Sequence, residues 1–104
     1  MDRVSTVDLI SQTHSRDAIG QDTVQETVHS RICTVLSVSR AEWAQAQQKS
    51  LSPAAVLRVF FADYNGEKTA DFEGRRYEIY RTYNAGDYTE LYLGERVGVI
   101  NAGA

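Results

Sequence analysis

Two histidines, a single cysteine and an excess of carboxylates over bases are the raw material for any chemistry in this 104-residue chain. His29 and Cys33 could in principle pair a base with a thiol nucleophile. On an extended strand, however, residues four apart lie about 13 Å from each other, too far for direct proton transfer. No third group is placed by the sequence to orient the imidazole. His14 falls in a polar stretch. Asp71, Glu73 and Glu78 bracket a tight turn without the twelve-residue ligand spacing of a calcium loop, and read as solvated hairpin ends. Neither a phosphate-binding loop, a dinucleotide fingerprint, HExxH nor a nucleophile elbow occurs. The sequence therefore points to no catalytic residue, no metal ligand and no cofactor.

The aromatic residues support two readings. Tyr64, Tyr77, Tyr80, Tyr83, Tyr88 and Tyr92 crowd the last third of the chain, near Arg75, Arg76 and Arg81. Such a surface could stack the bases of a single-stranded nucleic acid, or dock a peptide. It could equally be cross-strand packing, with hydroxyls at a rim or in a subunit contact. Charge favours packing. Eleven bases stand against fourteen acids, a formal net charge of −3, and no basic block or tail supplies the footprint of a phosphate-gripping protein.

The elements that must position these residues are short. Residues 4–12 alternate weakly as a first strand with Val7 and Leu9 on one side, and residues 13–23 are polar and read as a long loop. Period-two alternation from Val28 to Val38 predicts a half-buried strand. Val28, Ile32 and Leu36 would face inward, and His29, Arg31 and Cys33 outward. Ser39 and Glu42 form a capping-box pattern ahead of a helix over about 40–49, which Ser52-Pro53 should stop. Its apolar stripe, chiefly Trp43, Ala44 and Ala46 with Leu51 beyond, is thin. Then comes a meander: a strand over 56–64, an Asn65-Gly66 turn of type I′, a strand over 68–72, a turn at Glu73-Gly74, a strand over 76–83, a turn over 84–87 and a strand over 88–95. Residues 97–104 are small and glycine-containing, a frayed tail. The expectation is a single domain over 1–104, mainly β: a small β-barrel or sandwich of five to six antiparallel strands with one short inserted helix. The single cysteine suits a reducing compartment. The start, Met1-Asp2-Arg3-Val4, has no apolar signal core, and aliphatic or aromatic runs of about four residues are far short of the ~20 that span a bilayer, so no membrane is expected.

An ordered set of segments adds to this. Leu9-Ile-Ser-Gln-Thr13, Asp17-Ala-Ile-Gly20, Arg40-Ala-Glu-Trp43 with the stretch to Pro53, Asp63-Tyr-Asn-Gly-Glu67, Phe72-Glu-Gly-Arg75, Tyr77-Glu-Ile-Tyr-Arg-Thr-Tyr83 and Glu90-Leu-Tyr-Leu-Gly-Glu95 together resemble the head-closure, or head–tail joining, adaptor proteins of tailed bacteriophages and prophages. The likeness runs from about Val7 to Gly98. It implies a non-enzymatic structural part of the virion neck, assembled in the bacterial host cytoplasm. Copies would form a homo-oligomeric ring between a portal or adaptor protein on the head side and a tail-side protein. Packaged DNA would pass nearby without specific binding and be retained by the closed ring. The segment 40–53 matches the connection that helps plug the channel in the family. Contacts are expected from Asp17, Ile19, Gly20 and Asp22 in the polar loop, from Arg40, Trp43, Gln47 and Leu51 in the helical connection, and from Tyr92 on the last strand. A binding module using the tyrosine-rich sheet is the alternative, and a small enzyme built on His29 and Cys33 a third reading.

Overall fold

Alternating apolar residues on successive strands close the sheet on itself. The strands are β1 (Arg3–Arg16), β2 (Asp22–Leu36), β3 (Leu51–Phe60), β4 (Thr69–Phe72), β5 (Arg75–Ala85) and β6 (Tyr88–Arg96), with helix α1 (Arg40–Gln48) between β2 and β3 and a 3₁₀ turn (Phe61–Asp63) after β3. In the computed structural model, which describes residues 3–96, these strands form a closed antiparallel barrel in the order β1-β2-β3-β6-β5-β4, with β4 returning to β1. The mainly β fold with one short helix is thus as expected, and the sheet closes as a barrel. The tail over 97–104 lies outside the described residues.

One side chain in two points inward. Val7 and Leu9 from β1, Leu57 and Val59 from β3, and Leu91 and Leu93 from β6 are fully buried in the interior cluster with Cys33 and Phe72. Two irregularities adjust the pleat. The β3–β6 register shifts between Pro53 and Ala55, where a proline without an N–H is tolerated because the ladder is already interrupted. The β5–β6 register shifts between Ile79 and Arg81, which places Tyr80 and Arg81 together on the outer side. There the Tyr80 ring covers Gly94, whose backbone leaves no room for a side chain: an added Cβ would stand 2.9 Å from the Ser52 carbonyl oxygen and 3.0 Å from the ring.

Several local expectations are corrected. The stretch 13–23 is not a long loop. β1 and β2 pair continuously from Arg3↔Val35 to Arg16↔Asp22, and only residues 17–21 turn. In β2 the period is right but the side is reversed. Cys33 faces the core while Val28 and Ile32 are exposed, because β1 offers Val7 and Leu9 on the face that Cys33 shares. Helix α1 ends before Pro53. Ser50 takes a left-handed conformation at φ 58, and β3 starts at Leu51 and runs through the proline. β3 ends at Phe60, short of Tyr64. Asn65-Gly66 is no hairpin turn either, since β3 pairs with β2 and β6 and never with β4, and only Gly66 has positive φ. The type I′ turn is Glu73-Gly74, with φ 51 and 82, joining β4 to β5.

Candidate functional site

Two elements stand out from the barrel, one at each end. The chain direction places the 17–21 turn, the 3₁₀ turn, the 64–68 loop and the β5–β6 turn at one end. Helix α1, Arg3, Arg96 and the Glu73-Gly74 turn lie at the other.

The first element is the outer half of the β1–β2 hairpin. β4 pairs with β1 only over residues 8–10, and β3 pairs with β2 only over 34–36, so residues 11–16 and most of β2 form a two-stranded arm. Almost every side chain on it is exposed. Cross-strand polar pairs hold its faces: Gln12 donates to Glu26 (3.2 Å), the Ser15 and Thr23 hydroxyls bond at 2.7 Å, and Arg16 reaches Asp22 at 3.4 Å. At the tip, the Asp17 carboxylate accepts the backbone N–H groups of Ile19 (3.0 Å) and Gln21 (2.9 Å), and Gly20 supplies φ 85. Asp17 and Gly20 therefore shape the turn, and Ile19, 78% exposed, is what the turn presents. Val24, Val28 and Ile32 add exposed apolar residues along the same face of β2. One guanidinium ties the arm to the barrel. Arg76 on β5 bonds Glu26 through two nitrogens (2.9 and 3.3 Å) and Asp71 through two (2.8 and 3.3 Å). Those hydrogen bonds hold both carboxyls below their usual range.

The second element is α1, which packs on the outer side of β3. Ser39 caps it by accepting the Glu42 N–H at 3.1 Å, but the capping box is half formed. The Glu42 carboxylate turns away from Ser39, is buried, and accepts from Tyr80 Oη (2.7 Å) and Arg81 Nη2 (2.5 Å). Burial, then the bond to Glu42, pushes the Tyr80 phenol well above its ordinary value. Ala46 and Val56 are buried on this side, outside the interior cluster. Arg40 and Gln47 are exposed and Trp43 is 41% exposed. Leu51, expected as a contact, is 3% exposed and belongs to the packing beneath the helix. Tyr92 lies half-buried on β6, with its hydroxyl on Glu90 (3.1 Å) and Arg81 4.0 Å over its ring. The nine residues expected to make contacts therefore fall into a tip group and a helix group at opposite ends, and do not converge.

The tyrosines disperse as well. Tyr64 and Tyr77 pack against the interior cluster, Tyr80 and Tyr92 lie edge to face near α1, and Tyr83 and Tyr88 are exposed. Missed from sequence was an exposed aromatic patch at the arm end, where Tyr88 meets Phe60 edge-on at 6.5 Å and Phe60 lies 4.9 Å from Phe61. Its signal was available: Phe60 and Phe61 are adjacent, so at most one could face inward. Eight of the nine arginines, all but Arg40, lie within 4.0 Å of a carboxylate among the described residues. Arg75, Arg76 and Arg81 are all so engaged, which removes the free cations a base-stacking sheet would need.

His29 and Cys33 are not brought together. His29 is exposed opposite Leu9 on the open part of the hairpin, whereas Cys33 is 1% exposed and burial pushes its thiol up, opposite to what a nucleophile needs. Among the described residues no group of three His, Cys, Asp or Glu side chains converges to hold a metal ion, and no helix is long and apolar enough to cross a membrane. No family model matches the chain, and no curated protein or solved structure was found to be similar to it.

Proposed function

We propose that this chain is a structural adaptor without enzymatic activity, a head-closure ring component in the neck of a tailed phage or prophage that joins the portal side to the tail and helps retain packaged DNA. The observation that carries the reading is the arm: fourteen paired positions in β1 and β2, of which only the basal part is covered by the barrel. A hairpin that buries little of its own surface is marginal by itself, and an assembly partner is the natural source of the missing burial. The resemblance over 7–98 and an exposed Trp43 at the opposite end from the arm fit a part with neighbours on two sides. Mild acidity and paired arginines suit a conduit through which a genome must slide, because free Lys or Arg on phosphates would release counterions and make DNA adhere.

The test is a lysate from a phage or prophage lacking this chain. Separate heads, full or leaking, and free tails are expected by electron microscopy, and joined particles in normal yield would overturn the proposal. Trp43→Ala should leave the monomer folded while impairing joining. A variant monomer that unfolds would make Trp43 core and remove it from the interface.

A further inference from the structure

The arm has two open edges, and they differ in charge. In the turn, the Asp17 N–H donates to the Gln21 carbonyl at 2.9 Å. The antiparallel ladder alternates from there, so odd-numbered residues of β1 and β2 bond each other and even-numbered ones turn their N–H and C=O groups outward. On the β1 edge the outward residues beyond the β4 pairing are Gln12, His14 and Arg16. On the β2 edge they include Asp22, Val24 and Glu26. The β1 edge carries one cation, Arg16, and the β2 edge two carboxylates, Asp22 and Glu26. Edges left unpaired among the described residues are templates for a further strand. A cleft already opens beside the β1 edge, lined by Ile10, Gln12 and His14 on one side and by Gly66, Glu67 and Lys68 on the other.

We propose that the occupant is the arm of a second copy of this chain: residues 12–16 of one β1 pair antiparallel with residues 22–26 of the neighbour's β2. Charge decides between the possible pairings. Joining two β2 edges over residues 22–26 would set Asp22 against Glu26, and joining two β1 edges over residues 12–16 would set Arg16 against Gln12, with no carboxylate to meet it. The β1-to-β2 pairing instead repeats between copies the matches that exist within the arm, Arg16 with Asp22 and Gln12 with Glu26. It is heterologous, so it propagates around a ring, and it rests on the ring reading above. Glu26 is bound to Arg76 of its own barrel, so the even-numbered face of the arm turns toward that barrel. The odd-numbered face, Ser11, Thr13, Ser15, Thr23, Gln25 and Thr27, turns away from it. Arms paired around a ring therefore form a β-sheeted collar whose free face carries hydroxyls and an amide and no charge, a surface along which duplex DNA can move without adhering.

Disulfide trapping between two single-cysteine additions tests this. His14→Cys chains and Val24→Cys chains are oxidised separately and mixed, at concentrations up to 1 mM on the order of magnitude expected for weak edge pairing; buried Cys33 does not compete. Dimers linked only in the mixture are expected. Linkage within either variant alone, no linkage in the mixture, or a protein that stays monomeric by sedimentation each overturns the pairing. Val24→Pro removes an outward N–H without touching the β1–β2 ladder, and should abolish assembly with the circular dichroism spectrum kept; unimpaired assembly overturns the proposal. Linkage in the mixture by a chain dispensable for head–tail joining would uphold the pairing and sink the neck reading. Normal joining without linkage would do the reverse.

Discussion

Glu42 is the residue on which the seating of α1 depends, and Glu42→Ala measures how much. The helix offers the barrel little apolar surface, Ala46 being the one apolar side chain of α1 that is buried. Its other buried side chain is a carboxylate, 6% exposed, with two donors. Hydrogen bonds to a charged group contribute about 1.5–3 kcal/mol each. The Arg81 side chain is 40% exposed and regains water when its partner goes, so its share falls to about 0–1 kcal/mol. The Tyr80 hydroxyl, half-buried beside Gly94, recovers less. The expected loss is about 2–3 kcal/mol, or a drop in Tm of roughly 10–20 °C for a domain of this size. Glu42→Gln keeps the acceptor for Tyr80 and should cost about 1 kcal/mol less. Urea unfolding of Glu42→Ala, Tyr80→Phe and the double variant gives the coupling, expected near 1 kcal/mol. A loss under about 0.5 kcal/mol for Glu42→Ala, or strictly additive single effects, would refute the view that this buried acceptor anchors the helix.

Three further outcomes follow from the geometry. The arm tether is pH-dependent: Arg76 lowers the Glu26 and Asp71 carboxyls, so its contribution is complete above their unfolded values and is lost as pH falls through the folded ones, below about pH 4; amide protection in 22–30, taken relative to the intrinsic exchange rate at each pH, should fall there, and in Arg76→Ala at neutral pH, and an arm indifferent to both would contradict the tether. Cys33 should resist alkylation in the native protein and react at the rate of unfolding, while Cys33→Ser places a hydroxyl among Val7, Leu9 and Leu57 and should cost about 1–3 kcal/mol by thermal melts. Gly94→Ala must displace the Ser52 carbonyl or the Tyr80 ring and should destabilise by about 1–3 kcal/mol; a neutral effect would mean that β3 and β6 can part there.

The β class was legible because half-buried strands must alternate, and Tyr88–Arg96 does over most of its length. The helix was legible from Ser39, whose hydroxyl satisfies a backbone N–H in the structure as the pattern requires. The arm was not, because alternation in hydrophobicity records burial, and a ribbon exposed on both faces has none to record. The side of β2 was misread for a related reason. Val28 and Ile32 are the more apolar residues, yet Cys33, paired with Ser5, is on the face that carries Val7 and Leu9 of β1, and only pairing reveals that face.

Sequence alone determined what local chemistry controls: the turn at Glu73-Gly74, the cap at Ser39, the start of a helix and the pleated character of the rest. Tertiary structure decided which strands are neighbours. It sent β3 to β6 instead of β4, put a carboxylate under a helix, and left two edges of one hairpin without partners among the described residues. Those outcomes depend on backbone hydrogen bonds between residues far apart in the chain. Such bonds are nearly the same for every residue type, and so leave little trace in the order of the side chains.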